Sequence, residues 1–349
     1  MAHRRPLVGL VLTVFIAAAC TPAATTAPTQ APGDTPGPTA APTEDTSGNW
    51  PDSIVIGFVP SRDAAALVDT VQPIADYLSA QLGIEVEGFV STDYTGLVTA
   101  METGQAHIGA FGPYGLLQAV ERAGGEFILQ SERFGSGTYH TQFMTNNPDR
   151  YCTISPPVEN ERTSNINPGT FLNCNGTERG PEDSPEGPIG TDAIKNVPAG
   201  TTVSFVTETS ASGYIFPATV FVVNGIPLDS FDQIFAGAHD ASAIAVCNGD
   251  AEVGVSFDDA RSEATTECDL NTNAVVFAYG PEIPNDGVVV AGDLPDSLKR
   301  TIHDALIAYA ETEDGQEVLR TVYNITAFTE PNLDSLQIVS DAARELGLQ

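Results

Sequence analysis

The segment Thr209-Ser210-Ala211-Ser212-Gly213-Tyr214 follows an apolar strand, Thr202–Val206, and opens a helix near Ser212. The first amides of a helix have no partner within it, and that end carries roughly half a positive charge. Hydroxyls placed there complete an oxyanion site without any lysine or arginine. The same serines also suit plain N-capping, in which they satisfy only the helix itself. Three further helix starts carry comparable donors: His239-Asp240-Ala241-Ser242 after Phe235-Ala236-Gly237, Asp93-Tyr94, and Phe111-Gly112-Pro113-Tyr114. In open α/β sheets ligands gather outside the carboxyl ends of strands, where all four of these segments fall.

Hydrolytic chemistry is the weaker reading. No Gly-x-Ser-x-Gly elbow occurs, and Asp240, next in chain to His239, is badly placed to orient that imidazole. His-Glu-x-x-His, Gly-Lys-Ser/Thr and Rossmann glycine patterns are also missing. The cysteines lack the close spacing of a zinc knuckle, so neither metal nor cofactor is expected.

These segments need a scaffold of alternating strands and helices. Ile54–Val59 reads as a buried strand, and Leu67, Val71, Ile74, Leu78 and Leu82 mark one face of a helix over 64–82 ended by Gly83. A strand over 84–89, a helix over 94–103 and a strand over 108–111 follow. The rhythm predicts an α/β fold with largely parallel pairing. It breaks over 145–192, a Pro-, Asn- and Gly-rich stretch expected as a surface excursion stapled by a disulfide. It resumes with Thr202–Val206 and Val253–Phe257, and 295–319 is expected as one helix.

Only 14 basic residues face 46 acidic ones in 349, a formal charge of −32, and Lys195 and Lys299 are the only lysines. Such a chain cannot neutralise a nucleic-acid backbone. It also repels anions at long range, although screening limits this beyond about 8 Å. Binding of an anion must rest on local, directional donors. The length suits two lobes of about 150 residues.

Residues 1–20 read as an export signal: basic His3, Arg4 and Arg5, a short apolar stretch, then Ala17-Ala18-Ala19-Cys20. Cys20 is the expected lipidation site, with Ala17 where lipoproteins usually have Leu; a plain secretory signal cut near Ala19 or Ala24 is the alternative. Residues 21–50, rich in Thr, Pro and Ala, are expected as a disordered tether. The four remaining cysteines favour disulfides in an exported protein. We pair Cys152 with Cys174 and Cys247 with Cys268, each loop worth about 3 kcal/mol; two other pairings remain open.

Taken in order, Ile56-Gly57-Phe58-Val59-Pro60-Ser61, Thr92-Asp93-Tyr94, Phe111-Gly112-Pro113, Tyr139, Thr209–Tyr214, Gly237-Ala238-His239-Asp240, Asn248-Gly249-Asp250 and Ile283-Pro284-Asn285-Asp286 resemble one family. It is the PhnD-like phosphate, phosphite and phosphonate substrate-binding proteins of ABC transporters. The resemblance spans about Ser53 to Thr326 and implies a two-lobed, type II periplasmic-binding-protein fold with the ligand in the cleft between lobes. It implies one lobe from 52–141 plus 284–349 and another from 142–283. By the same resemblance Ser210, Ser212 and the backbone of Ala211 and Gly213 hold a phosphorus oxyanion, His239 donates to it, and Tyr94 and Tyr114 close over it. Asp258 corresponds to an acidic ligand position, with Asp259 the alternative; it would accept a P–OH proton or pair with an ammonium. Ala211 departs from the family's Ser-Thr-Ser and removes one hydroxyl. The implied partners are the small anion and the permease subunits, with the membrane reached by the lipid anchor, no nucleic acid, and a monomeric chain. An extracytoplasmic sensing module and an anchored phospho-ester or phosphonate hydrolase using Ser212 or His239 are the alternatives.

Overall fold

The structure, a computed structural model, describes residues 49–62, 64–162, 169–178 and 188–348, without the side chains of 64–66. The expected signal, Cys20, nearly all of the tether and parts of the 145–192 segment lie outside the described residues.

The chain runs β1 (Ser53–Phe58), α1 (Ala64–Leu82), β2 (Glu85–Val90), α2 (Tyr94–Glu102), β3 (Ile108–Phe111), α3 (Pro113–Glu121) and β4 (Glu126–Glu132). It continues through β5 (Thr138–Thr145), α4 (Pro148–Tyr151), β6 (Val158–Arg162), β7 (Gly169–Asn173) and β8 (Thr202–Phe205). A π-helical turn, Ala211–Ile215, leads into α5 (Phe216–Val223). Then come β9 (Asp232–Phe235), α6 (His239–Asn248), β10 (Val253–Phe257), α7 (Leu270–Asn273) and β11 (Val275–Pro284). The chain ends β12 (Gly287–Val290), α8 (Asp296–Glu311), α9 (Glu313–Tyr323), β13 (Ala327–Thr329) and α10 (Asp334–Glu345).

Two sheets result, ordered β13-β4-β12-β3-β1-β2 and β6-β7-β11-β5-β10-β8-β9. The pairing is mixed rather than largely parallel. β1 is parallel to β2 and β3, but β12 runs antiparallel to β3 and β4. In the second sheet β8 is parallel to β9 and β10, whereas β5 is antiparallel to β10 and β11. The reason is topological. Among the described elements two connections, β4 to β5 and β11 to β12, carry the chain between sheets, and the strand that each one delivers runs antiparallel to both of its neighbours. They lie side by side: Asn285 N–H donates to the Gly137 carbonyl (2.9 Å) and Ser131 N–H to the Asp286 carbonyl (2.9 Å).

Each lobe has its own core. The apolar stripe of α1 (Leu67, Val71, Ile74, Leu78, Leu82) is buried with β1, β3 and β12; each such side chain contributes about 1.5–3 kcal/mol. In the second sheet the period of two sends Phe143 and Phe277 to one core and Met144 and Val276 to another. A fourth cluster joins Tyr114 and Leu117 of α3, Ile215 and Phe216, and Val339, Ala342 and Ala343 of α10.

Two expectations fail locally. The 145–192 segment is not merely an excursion: β6 and β7 form a hairpin whose second strand pairs with β11 and extends the sheet. Val158-Glu159-Asn160-Glu161-Arg162 carries no strand signal, because charged and polar residues fill all but its first position. The expected helix over 295–319 is two helices. Thr312 caps α9 by accepting from Gly315 N–H (3.0 Å), and a Cβ at Gly315 would stand 1.9 Å from the Tyr309 carbonyl, so the chain turns there. The disulfides are Cys152–Cys174, tying α4 to the end of β7, and Cys247–Cys268, tying α6 to the loop before α7.

Candidate functional site

Between the sheets lies a cavity of about 50 Å³, lined from all four helix starts: Tyr94, Gly112 and Pro113, Thr209 to Ser212, and His239. A water needs roughly 10–15 Å³ by this measure, so the space admits on the order of four water-sized groups. That suits a tetrahedral anion with a small substituent.

Ser210 is the N-cap of the π-helical turn, and its Oγ accepts from Gly213 N–H at 3.2 Å. Across it stands His239, the first residue of α6, with Nε2 at 3.3 Å from Ser210 Oγ. Nδ1 of His239 accepts from Phe257 N–H (3.4 Å) and lies 2.9 Å from Ser256 Oγ. A backbone N–H can only donate, so Nδ1 is the acceptor and the proton sits on Nε2. Burial, helped by Arg133, pushes the His239 pKa down to about 3, and the ring is neutral at physiological pH. Ser210 Oγ therefore accepts twice and keeps its own proton to donate into the cavity. Ala211 and Ser212, the first two residues of the turn, add amides without helical partners.

Tyr94 is buried, and among the described residues its hydroxyl makes no hydrogen bond of good geometry, Ser210 being the side chain that comes nearest to pairing with it. Burial raises its pKa well above the ordinary tyrosine value, so it is a donor held ready at the cavity wall. A buried hydroxyl left unmatched costs about 1–3 kcal/mol, which a ligand acceptor would recover.

Several anticipated residues stand elsewhere. Tyr114 follows Gly112 and Pro113, which line the cavity, but the next helical position turns it away, and its hydroxyl donates to the Leu348 carbonyl (3.0 Å). Gly213 spends its amide on Ser210 and is needed for packing, since a Cβ there would meet Val206 at 2.4 Å. Asp258 is buried away from the cavity lining against Arg162, 2.8 Å from its Nη2, and Asp259 pairs with Arg261 at 2.7 Å. The hairpin supplies Arg162 and so draws Asp258 into the second lobe.

The expected freedom from arginine also fails: Arg62 and Arg133 line the cavity. Arg62 Nη1 donates to Glu263 Oε2 (3.0 Å) and Nη2 to the Val322 carbonyl (2.6 Å). Burial lowers the Arg62 pKa against the pull of Glu263. Arg133 pairs with Asp286, whose pKa burial raises while Arg133 opposes the rise. The charged groups thus come as balanced pairs, and the cavity wall joins these paired guanidiniums to hydroxyls, amides and a neutral imidazole. A sequence signal for three of them existed. Arg62 directly follows Pro60-Ser61, Asp286 closes Ile283-Pro284-Asn285-Asp286, and arginine is scarce throughout.

Residues 56–336 match the family described as ABC transporter, phosphonate, periplasmic substrate-binding protein. The chain belongs to this family. Its members are substrate-binding proteins rather than enzymes. The phosphate-import protein PhnD of Mycolicibacterium smegmatis is 26% identical over 221 residues, 61% of this chain and 57% of that protein. The phosphonates-binding periplasmic protein of Escherichia coli is 22% identical over 266 residues, 75% of this chain and 68% of that one. Among solved structures, PhnD1 of Prochlorococcus marinus in complex with methylphosphonate superposes with a TM-score of 0.67 at 17% identity. The alignment covers 85% of this chain and 99% of that one. The binding-protein component of a Pseudomonas aeruginosa ABC phosphonate transporter gives 0.65 at 21%, covering 84% and 86%. These likenesses establish the two-lobed fold.

Proposed function

We propose that this chain is the lipid-anchored, extracytoplasmic solute-binding protein of an ABC importer, capturing a phosphorus oxyanion (phosphonate, phosphite or phosphate) and delivering it to the permease as a monomer. The observation that carries the reading is the arrangement at Ser210. His239 Nε2 and Gly213 N–H occupy its acceptor sites, so the hydroxyl proton points at whatever fills the cavity beside Tyr94 and the amides of Ala211 and Ser212. Donors converge there on a small space, which is what an oxyanion requires. The lobes, 52–141 with 284–349 and 142–283, would close on the anion by a hinge at the two connections. The relatives' printed names, a phosphate importer and a phosphonate-binding protein, fit this ligand class.

A hydrolase is disfavoured by the same geometry. His239 carries its proton on the nitrogen that faces Ser210, so it cannot take the serine proton as a general base.

The test is calorimetric titration of the Cys20→Ser protein, stripped of ligand, with phosphite, methylphosphonate, phosphate, 2-aminoethylphosphonate and sulfate. Micromolar or tighter binding of a phosphorus anion with sulfate silent is expected. Silence toward all five would end the reading. Growth of membrane-fraction signal on intact Cys20, lost in Cys20→Ser, checks the anchor.

A further inference from the structure

Arg133 and Asp286 stand on the two connections between the sheets, one just after β4 and the other just before β12, and both line the cavity. Their side chains are 11% and 14% exposed, and they form an ion pair. The Arg133 guanidinium also lies over the Tyr139 ring, 5.2 Å from its centroid, which fixes its position at the wall. A carboxylate inside an anion site has two uses: to accept the proton of a P–OH group, or to serve as counter-ion to a cationic substituent of the ligand. Here Arg133 already holds it. An ammonium entering the cavity would find its counter-ion taken and a guanidinium beside it. Displacing Arg133 would leave that cation buried without its carboxylate, a strongly unfavourable exchange.

Resting on the reading of the cleft as a phosphorus-oxyanion site, we propose that Arg133, by holding Asp286, restricts the site to phosphorus oxyanions without a cationic substituent. Inorganic phosphorus anions and short alkylphosphonates are accepted; aminoalkylphosphonates are refused. The determinant is charge, acting through a residue pair, and it is separate from the size limit that the cavity sets on any substituent.

The probe pair is ethylphosphonate and aminomethylphosphonate, which have equal heavy-atom counts and differ by CH₃ against NH₃⁺. Calorimetry on the wild-type protein should show aminomethylphosphonate at least thirtyfold weaker. In Arg133→Met the ratio should narrow at least tenfold, because Asp286 becomes available, and the gain should vanish in Arg133→Met/Asp286→Asn. A role for the pair in merely pinning the connections would weaken both ligands together and leave the ratio unmoved. Equal wild-type affinity for the two probes overturns the proposal, as does refusal of both while methylphosphonate binds, since size alone would then decide. A ratio unchanged in a folded Arg133→Met protein overturns it too. If Arg133→Met does not fold, the wild-type comparison still decides. Silence of the wild type toward every phosphorus anion would instead remove the oxyanion reading, and this proposal with it.

Discussion

Arg62, just past β1, and Glu263, just past β10 in the other lobe, meet at 3.0 Å with side chains only 10% and 2% exposed. Asn324, at the end of α9, donates to the same Glu263 (2.9 Å), and His239 N–H donates across to the Ser61 carbonyl (3.2 Å). These contacts join the lobes beside the cavity, and a cleft that opens as proposed would break them. Removing one partner of a buried charged pair in an interface costs roughly 2–5 kcal/mol, felt mainly in dissociation. Glu263→Ala should therefore raise the ligand off-rate at least about thirtyfold, with the on-rate within about threefold, by stopped-flow measurement. An unchanged off-rate would show that the clasp contributes nothing to closure.

Ser210 serves two masters, the helix and the ligand. Ser210→Ala should lower stability by about 1 kcal/mol through the lost cap. It should also weaken anion binding roughly tenfold to a hundredfold, the worth of a hydrogen bond to a charged group. Thermal melts and calorimetry separate these. A loss of stability with full affinity retained would reduce Ser210 to a cap.

The pH response of His239 has a definite sign. Desolvation lowers its folded pKa to about 3, beneath the unfolded value near 6.5. Between those values the unfolded chain binds the extra proton, so this group makes stability fall as pH drops from about 6.5 toward 3 and contributes no slope above 6.5. Melting temperature recorded from pH 7 to 4 should fall less steeply in His239→Gln, which keeps a donor near the Nε2 position. Anion affinity between pH 6.5 and 8 should show no imidazole titration.

Arg162 anchors the hairpin through Asp258. Arg162→Met removes the cation of a buried ion pair and should destabilise the protein by about 3–5 kcal/mol, seen as a lower urea midpoint. Affinity of the folded protein should stay within about threefold, because Asp258 does not line the cavity. A selective loss of binding would return Asp258 to the ligand site.

The parts of the site legible in the sequence were those built on local spacing. Ser210, Ser212, His239 and Tyr94 announce themselves as donors at helix starts, because strand, cap and helix follow within a few residues. Arg133 and Asp286 are 153 residues apart, and Arg62 and Glu263 201 apart. No periodicity encodes such meetings; chain topology does. Tyr114 differs for the opposite reason: its neighbours Gly112 and Pro113 line the cavity, but one residue along a helix turns the side chain about 100°. The α1 stripe and the β-strand period were plain from the outset, since burial there depends on apolar spacing alone.

Helix α10 packs on α3 from one lobe and on α5 and β11 from the other, and Thr219 Oγ1 donates to the Ala342 carbonyl. If the lobes part as proposed, the helix would give up one of these neighbours and expose apolar surface to water. On that motion the balance between open and shut would be weighted partly by the dozen residues of α10. A tag or truncation at the C-terminus would tilt that balance, and change the affinity recorded for the anion, without disturbing any atom that touches it.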